Sequence, residues 1–329
     1  MNSSNSSPFL LQGTYFSGEI SFLSDFDLES TLFCGQAFRW QRFFRNSEII
    51  YAGVLDEAVV WVHAISPKRI RFDSTKATLY FRPCNEFLEH YFGKNDQPKD
   101  FLPAHFEEKY PHLSLIFNEF GGLHLLRQPL YETLISFMCA QGVGITLIRR
   151  QVSRLADLSG QTLQNADFVA SRFPTPSQLA SFTLHKITYC TNNNRIRAKN
   201  ILAISQAIAE GRLNLDYYEN LSRSPIRLKK EHYHQLREDL LRFDGIGEKI
   251  ADCVCLFGLG AWHAFPIDTH VRQFMIEWFG IRMKGKTISA KNYAKIQKKA
   301  WKELGENAGY LSQILFHYWR TKIRGLGVE

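Results

Sequence analysis

Lys249 and Asp268 are the two residues whose chemistry and spacing suggest a reaction at carbon. Lys249 lies in the first turn of a predicted helix that begins at Glu248. The positive end of the helix dipole disfavours a charged ammonium there, and a neutral amine is a nucleophile. Asp268 lies where another predicted helix starts, so backbone N–H groups would keep its carboxylate ionised and able to stabilise developing positive charge. The ordinary alternatives are a solvated surface lysine and an aspartate that only caps its helix.

A Gly-x-Gly hairpin comes directly before this lysine. An amphipathic segment that starts at Leu236 runs into Gly245-Ile246-Gly247, and the helix of Lys249 follows. Glycine tolerates the positive φ of a tight turn, and the bare N–H groups of such a hairpin can approach a phosphate. Gly245 and Gly247 are therefore predicted to contact a DNA backbone. A purely structural turn between two helices is the alternative.

Two further side chains belong to the same predicted site. Cys253 follows Lys249 by four residues, so both lie on one face of the helix. A thiol at that position can line a pocket for a flat ligand, although a buried structural cysteine is the commoner explanation. His270, just after Asp268, would place an imidazole or a backbone N–H near a second phosphate, or else is a surface histidine.

The composition agrees with a polyanionic partner. The 329-residue chain has 40 Lys and Arg against 32 Asp and Glu, a net charge of +8 and a pI near 9.1. Such a charge favours nucleic acid, although an ordinary basic protein could also carry it. No apolar run approaches the ~20 residues of a membrane span, and Met1 to Pro8 lack the basic region of a signal peptide. We expect an intracellular protein, nuclear in a eukaryote or cytoplasmic at the nucleoid in a bacterium.

The cysteines give no metal or disulfide pattern. There are 6, spread along the chain, and only Cys253 and Cys255 lie close together. One intervening residue does not match the C-x-x-C spacing of metal ligands. We therefore expect free thiols and no metal site.

The distribution of apolar residues divides the chain in two. Before residue 93, short segments of strand character alternate with polar turns, which predicts an antiparallel sheet. The segments are 37–43, 49–54, 58–63, 70–73 and 77–81. Beyond residue 100 the apolar spacing becomes helical. The predicted helices are 132–156, 197–210, 231–242, 248–257, 269–279, 290–304 and 310–320.

These segments predict an α+β protein. A small N-terminal antiparallel sheet domain is expected over residues 9–100, and a larger all-helical domain, which contains the helix-hairpin-helix, over residues 101–329. At the start of the first strand, alternation would put Gln36, Phe38 and Trp40 on one face.

Taken together, the motifs resemble the helix-hairpin-helix, Gly/Pro-Asp DNA glycosylases. The string from Gly245 to Cys253, GIGEKIADC, is followed by Asp268 within Pro-Ile-Asp-Thr-His. Within that superfamily the chain is most similar to the 8-oxoguanine DNA glycosylases, through Lys-x-Ala-Asp-Cys and through Gly-Gln-x-Phe-Arg-Trp at residues 35–40. Shorter similarities extend the resemblance over residues 25–320.

The resemblance implies a bifunctional glycosylase and lyase. A damaged base is flipped out of duplex DNA, Lys249 attacks C1′ and expels the base, and β-elimination through the resulting Schiff base nicks the strand. Asp268 would stabilise the cationic transition state. Cys253 and Phe316 would sandwich the flipped base, and the Gly35 carbonyl would accept from the N7–H that distinguishes 8-oxoguanine from guanine. The implied partner is double-stranded DNA with a damaged base, bound by a monomer without a cofactor.

The resemblance also assigns contacts to the rest of the DNA. His270 and the glycine hairpin would hold phosphates, and Arg197 matches one of two arginines that read the cytosine opposite the lesion. Leu147 stands where the other arginine is expected. Gln141, in Cys-Ala-Gln-Gly-Val-Gly, is similar to the endonuclease III glutamine that fills the gap left by the extruded base. Asn192-Asn193-Asn194 lies where the family has an intercalating loop and is either a wedge or a polar turn.

The last helix departs from the family. The glutamine that reads the base edge should lie four residues before Phe316, but Ser312 stands there and Gln313 follows, about 100° further round the helix. A hydroxyl offers less than an amide, which has both a donor and an acceptor. Ser312 and Gln313 are both candidates for base contact. Two alternatives stay open: the same chemistry on a different damaged base, and a protein that binds damaged DNA without catalysis.

Overall fold

The N-terminal part of the chain forms a five-stranded antiparallel sheet with the strand order β1-β5-β4-β3-β2. The structure is a computed structural model that describes residues 14–45, 47–223, 228, 230–283, 285 and 288–327. The strands are β1 (Phe16–Ser21), β2 (Gln41–Arg45), β3 (Glu48–Leu55), β4 (Ala58–Ser66) and β5 (Arg69–Ser74). Two short strands follow, β6 (Thr78–Leu79) and β7 (Arg82–Pro83).

Most of the remaining chain is helical. In the sheet part lie α1 (Leu28–Phe33) and α2 (Cys84–Tyr91). Then come α3 (Phe106–Lys109), α4 (Pro111–Phe120), α5 (Leu130–Cys139), α6 (Ile145–Asp157), α7 (Pro176–Ala180), α8 (Leu184–Cys190), α9 (Arg195–Ala209) and α10 (Leu215–Arg223). The last are α11 (Lys230–Leu241), α12 (Glu248–Val254), α13 (Thr269–Glu277), α14 (Ala290–Leu304) and α15 (Ala308–Tyr318). Within the described ranges, none of these helices combines the length and hydropathy needed to cross a bilayer.

The predicted α+β class, with a small sheet followed by a larger helical part, is confirmed. One addition to the helical part is a two-stranded hairpin, β8 (Thr162–Asn165) and β9 (Phe168–Ser171). Phe168 of this hairpin packs edge-on against Trp61 of β4, with ring centres 6.1 Å apart. The Trp61 Nε1–H also donates to the Asn165 side chain over 3.2 Å. The hairpin therefore covers the sheet face that turns away from α1 and α2.

Alternation along the strands explains why both sheet faces are apolar. Tyr51 and Leu55 of β3 pack in the core that contains α2, whereas Ile50, Ala52 and Val54 pack in the core beneath the hairpin. Successive side chains of a strand point to opposite faces, so a strand covered on both sides is apolar almost throughout.

The segment predicted as the start of the first strand is not a strand. Residues 34–40 form bends between α1 and β2, and β2 begins only at Gln41. The Gln36 amide donates to the carbonyl oxygens of Thr31 and His124, and its Oε1 accepts from Leu126 N–H. The segment is thus attached to its neighbours through the Gln36 side chain and not through a backbone ladder.

Side chains of this segment also divide between two cores. Phe38 packs in the core of the helical part, whereas Ala37 and Trp40 pack in that of the sheet. Leu126, from beyond the predicted domain boundary, likewise packs in the sheet core. The predicted limits of 9–100 and 101–329 stay a prediction, and residues 9–13 and 328–329 lie outside the described part of the chain.

Two other predicted segments differ in the structure. The predicted helix over 132–156 is broken into α5 and α6 around Gly142, which has a φ of 68° and cannot continue a right-handed helix. The predicted strand over 77–81 is shortened to β6 because Tyr80 and Phe81 both have positive φ.

Candidate active site

A cavity of about 70 Å³ lies where α12, α15 and the start of α13 meet the bend after α1. It gathers the residues predicted for catalysis and base binding, which the sequence places far apart. These are Gly35, Lys249, Cys253, Asp268, Ser312, Gln313 and Phe316. Apolar side chains complete the wall, among them Phe137, Leu256 and Phe257. The arrangement combines an amine, a carboxylate and flat apolar surfaces in one small space.

Lys249 is half-buried in the first turn of α12. Its Nζ lies 5.5 Å from the centre of the Phe137 ring, a separation typical of a cation over an aromatic face. Cys253, one turn further along, is buried, and burial raises the pKa of its thiol to about 12 although the nearby Lys249 lowers it. The thiol is therefore protonated at neutral pH and offers a polarisable, uncharged surface to the cavity.

Asp268 has the capping geometry that its position predicts. Its Oδ1 accepts a hydrogen bond from Val271 N–H over 2.8 Å, and the backbone of Asp268 is extended before α13 begins. The side chain is half-buried and also lines the cavity. Capping and a place beside Lys249 are thus combined in one carboxylate.

Gly35 has a backbone conformation that disfavours other residues. Its φ is 93°, which only glycine adopts without strain. A Cβ there would make ordinary contacts, 3.6 Å from Arg320 Nη1 and 3.8 Å from the Phe316 ring. The requirement for glycine therefore comes from the backbone conformation and not from lack of space.

On α15, Ser312 and Gln313 are both buried and both line the cavity. The Ser312 hydroxyl donates to the Gly309 carbonyl oxygen over 2.9 Å, whereas Gln313 Nε2 donates to the Cys34 carbonyl oxygen over 3.0 Å. The rotation of about 100° between neighbouring helix residues thus does not remove Gln313 from the site. Phe316, one turn later, is only partly buried.

The two hairpin glycines differ in what they require. Gly245 has a φ of 83°, and a Cβ there would collide with the Asn200 side chain. Gly247 has a φ of −93°, and nothing lies within 4 Å of the place that its Cβ would occupy. The backbone at Gly247 therefore faces open space, with no side chain capping α12.

Gln141 and Arg197 form a connected pair near this hairpin. Exposed Gln141 donates through Nε2 to the Gly245 carbonyl oxygen over 2.6 Å. Arg197 is buried, and it donates through Nη1 to Gln151 Oε1 at 2.9 Å and through Nη2 to the Gln141 carbonyl oxygen at 2.6 Å. The guanidinium is thus buried and supports the loop that carries Gln141.

His270 lies beside the cavity mouth, with its ring 5.9 Å from that of Phe316. Burial lowers the pKa of His270, the cations of Arg320 and Arg324 lower it further, and Asp268 opposes them. Its Nδ1 is buried without a hydrogen-bond partner among the described residues. The imidazole is therefore neutral at pH 7 and retains an unused polar atom.

The Asn192–Asn194 stretch has the geometry of a polar turn. Asn192 and Asn193 have positive φ, and Asn194 caps α9 by accepting from Arg197 N–H over 2.9 Å. The side chain that protrudes is Ile196, which is 75% exposed. The sequence could have indicated this exposed residue, because Ile196 is an isolated apolar residue between two arginines in the first turn of α9.

The sequence analysis also missed one residue of the cavity wall, Phe137, and one residue that contacts the wall from outside, Arg320. Phe137 lies beneath the Lys249 amine, and Arg320 lies 5.6 Å from the centre of the Phe316 ring. Nothing in the sequence distinguishes these residues from ordinary core and surface positions. Within the described residues, no group of three or more His, Cys, Asp or Glu side chains is arranged to hold a metal ion.

The chain is similar to one known protein family and, over different lengths, to two N-glycosylase/DNA lyases. The N-terminal domain family of 8-oxoguanine DNA glycosylase matches residues 21–134. An N-glycosylase/DNA lyase of Saccharomyces cerevisiae is 31% identical over 157 residues, which is 46% of this chain but only 40% of the yeast protein. The Arabidopsis thaliana N-glycosylase/DNA lyase is 24% identical over 310 residues, covering 89% of this chain and 77% of the plant protein.

A solved structure is similar over almost the whole length. It is the 8-oxoguanine glycosylase/lyase of Clostridium acetobutylicum in complex with double-stranded DNA containing cytosine opposite 8-oxoguanine. Its TM-score is 0.75 at 25% identity, with 94% of this chain and 99% of the bacterial chain covered.

Proposed function

The chain belongs to the helix-hairpin-helix DNA glycosylase superfamily, among the 8-oxoguanine DNA glycosylases, and on that basis we propose that it excises an oxidised purine from duplex DNA. We propose 8-oxoguanine as the base and an abasic-site lyase as the second activity. The observation that carries the proposal is the shared cavity, which places Lys249 and Asp268 beside Gly35, Cys253 and Phe316.

The proposed reaction uses the amine and the carboxylate in turn. Lys249 Nζ forms a bond to C1′ of the damaged nucleotide as the glycosidic bond breaks and the base leaves with the bonding electrons. The half-buried Asp268 carboxylate stabilises the positive charge that develops on the sugar during this step. Opening of the sugar ring then gives a Schiff base of Lys249. Loss of the C2′ proton to a base and departure of the 3′ phosphate with the C3′–O bonding electrons complete the β-elimination and nick the strand.

The base would bind between Cys253 and Phe316. The uncharged thiol and the aromatic ring are suited to the two faces of a flat purine, and the Gly35 carbonyl would accept from N7–H of 8-oxoguanine. The cavity of about 70 Å³ is much smaller than the roughly 300 Å³ or more of typical ligand pockets. We therefore propose that the wall moves to admit a base, and the partly exposed Phe316 is the aromatic residue of the wall that we expect to turn aside.

The remaining predicted residues would hold the duplex. We assign phosphates to the open backbone at Gly247 and to His270, whose buried Nδ1 has no hydrogen-bond partner among the described residues. Gln141 is exposed and would fill the gap left by the extruded base, while buried Arg197 supports its loop. We propose that the protein acts as a monomer on damaged double-stranded DNA in the compartment that holds the DNA.

Two alternatives make different use of the same site. A different damaged base is the first, because Ser312 and Leu147 replace residues that the family uses to recognise 8-oxoguanine and its partner cytosine. Binding of damaged DNA without catalysis is the second. A cavity that combines an amine with a carboxylate argues against the second, since a pure binder has no use for this pair.

Borohydride trapping tests the proposal. The protein would be incubated with duplexes that carry 8-oxoguanine opposite each of the four bases, other damaged bases or an abasic site. We expect a covalent adduct with 8-oxoguanine opposite cytosine and with the abasic site, and no adduct with Lys249→Gln. An adduct that survives this substitution would exclude Lys249 as the nucleophile. No adduct and no nick on any duplex would favour the binder, and reaction only with other lesions would favour the first alternative.

A further inference from the structure

Asp252 is a carboxylate in the helical core that the proposed chemistry does not use. It lies on α12, three residues after Lys249, and its exposed fraction is 0%. Taking a charge out of water costs several kcal/mol unless hydrogen bonds and an opposite charge compensate for it. The hydrogen-bond donors around Asp252 therefore show which parts of the structure it connects.

Four donors saturate the carboxylate. Its Oδ1 accepts from the Tyr233 hydroxyl at 2.9 Å and from Arg237 Nε at 2.9 Å. Its Oδ2 accepts from the Tyr293 hydroxyl at 2.6 Å and from Gln297 Nε2 at 2.8 Å. A carboxylate has about four acceptor sites, so none is left over. The charge is held by a complete set of partners from two helices, α11 and α14.

The two oxygens connect α12 to different parts of the site. Oδ1 bonds to α11, the first helix of the hairpin, and Arg237 on that helix also approaches Glu248 at 3.4 Å. Oδ2 bonds to Tyr293, whose hydroxyl accepts in turn from Ile267 N–H over 3.2 Å. Ile267 is the residue before Asp268. One hydroxyl thus bonds both to the helix of Lys249 and to the backbone next to Asp268.

The Asp252 bonds add directional contacts to the non-directional apolar packing of α12, whose other buried residues are Ile250, Ala251, Cys253 and Val254. Regular α-helix is limited to the seven residues of α12, and a π-helical segment, Cys255–Leu259, follows directly. Because the Lys249 side chain is long, a rotation of α12 about its axis displaces the Nζ atom further than it displaces the backbone. A displacement of about 1 Å at reacting atoms can cost about 100-fold in rate.

We infer that Tyr293, acting through Asp252, is a positioning residue that sets Lys249 relative to Asp268. It does not line the cavity and would not touch DNA. Tyr233 contacts the same carboxylate from the other side, but its hydroxyl makes no contact with the segment before Asp268 among the described residues. The inference rests on the proposed function, because it concerns the geometry of the proposed reaction.

Two Tyr→Phe variants provide a matched test. Tyr293→Phe and Tyr233→Phe each remove one hydroxyl from the same buried carboxylate and keep the ring, but only Tyr293→Phe breaks the link to Ile267. Three quantities would be measured for the full chain and both variants. They are the melting temperature, the Kd for an abasic-site duplex, and the single-turnover rate of borohydride-trapped adduct at saturating duplex.

We expect both variants to lose similar stability and to bind the duplex about as tightly as the unaltered protein. Tyr293→Phe should slow adduct formation by about 10-fold or more, and Tyr233→Phe by no more than about twofold. Equal rate losses in the two variants, or no loss in Tyr293→Phe, would overturn the inference. If Tyr293→Phe is not folded under the assay conditions, both variants are assayed at a lower temperature at which each is folded, and Gln297→Met, which keeps the Tyr293 hydroxyl and its bond to Ile267, should react like Tyr233→Phe. Absence of any adduct with the unaltered protein would instead overturn the proposed function, and this inference with it.

Discussion

The Ser312 hydroxyl is hydrogen-bonded to the carbonyl oxygen of Gly309, one turn earlier in its own helix. The amide of Gln313 leaves the helix and donates to the Cys34 carbonyl oxygen, directly beside Gly35. Both side chains line the cavity, but the single hydroxyl proton of Ser312 is already donated to Gly309, whereas the Gln313 amide has a second N–H besides the one donated to Cys34 and an acceptor oxygen. Gln313 is therefore better suited than Ser312 to read a base edge.

Substitution at these neighbouring positions should separate their roles. Gln313→Met keeps length but removes polar groups, so we expect excision of 8-oxoguanine to fall about 10- to 100-fold, equivalent to about 1–3 kcal/mol. Cleavage of an abasic duplex should change little, because no base occupies the cavity. Ser312→Ala, the control, should leave both rates within about threefold. Single-turnover assays on the two duplexes measure the effects, and the opposite ranking would assign base reading to Ser312.

Asp268 has two roles that one pair of variants should distinguish. Asn is as good a helix cap as Asp, so Asp268→Asn should change the free energy of unfolding by less than about 0.5 kcal/mol. The lost charge should lower the excision rate by about 100- to 1,000-fold. Asp268→Ala should show a similar rate loss and in addition lose about 1 kcal/mol of stability. Urea unfolding and single-turnover excision measure these quantities. Near-normal activity in Asp268→Asn would leave Asp268 with the capping role only.

The hairpin glycines should respond differently to alanine. Gly245→Ala places a side chain at positive φ and against Asn200, so we expect a loss of about 1–2 kcal/mol in stability. Gly247→Ala should keep full stability because its backbone conformation suits any residue and its Cβ meets nothing within 4 Å.

We expect Gly247→Ala, the variant that keeps full stability, to lose affinity for DNA. A methyl group at Gly247 would stand between the bare backbone and a phosphate, so Gly247→Ala should weaken the Kd for a damaged duplex despite its normal melting temperature. Fluorescence anisotropy on the folded variants measures the effect. Unchanged binding would show that the backbone at Gly247 does not contact the DNA.

His317 should make stability depend on pH. Burial lowers its pKa to about 4, with Arg320 and Lys322 adding to the effect and Asp27 opposing it. Histidine in an unfolded chain has a pKa of about 6.5, so between pH 6.5 and 4 the unfolded state binds more protons. Stability must therefore fall as pH falls through this window, by on the order of 1–2 kcal/mol at pH 5.

The variant His317→Phe isolates this contribution. Phenylalanine suits a site where the ring already packs edge-on against Phe120 at 5.5 Å. The free energy of unfolding should then decline less between pH 7 and pH 5 than in the unaltered protein. Part of the decline should persist, because burial also lowers the pKa of His90 and of His263. An identical decline in the two proteins would contradict the assignment to His317.

Local patterns predicted the parts of the site that local geometry determines. Lys249 and Cys253 share a face because α12 is a helix, and Asp268 caps α13 because aspartate at a helix start binds backbone N–H groups. The meeting of these residues with Gly35 depends on packing between distant segments. No spacing in the sequence encodes that meeting, and only the family resemblance anticipated it.

Contacts between distant segments also explain structural features that the sequence analysis did not predict. Residues 35–40 alternate like a strand, but the buried Gln36 side chain attaches this segment to the backbone of Thr31, His124 and Leu126, which no local pattern indicates. Burial of Arg197 depends on Gln151, 46 positions earlier in the chain, which no local pattern could indicate. The break between α5 and α6 was the most accessible signal, since Gly142 stands within the predicted helix.

The β8–β9 hairpin determines which fragments of the protein keep the sheet covered. It covers Trp61 and the apolar residues beside it on the outer sheet face, and Arg45 of the sheet is ion-paired with Asp167 at the hairpin turn. A fragment that stops at residue 134, where the N-terminal family match ends, would lack this cover. Its bared tryptophan face would be adhesive in water. We therefore expect the family-matched region to aggregate when it is expressed without the β8–β9 hairpin.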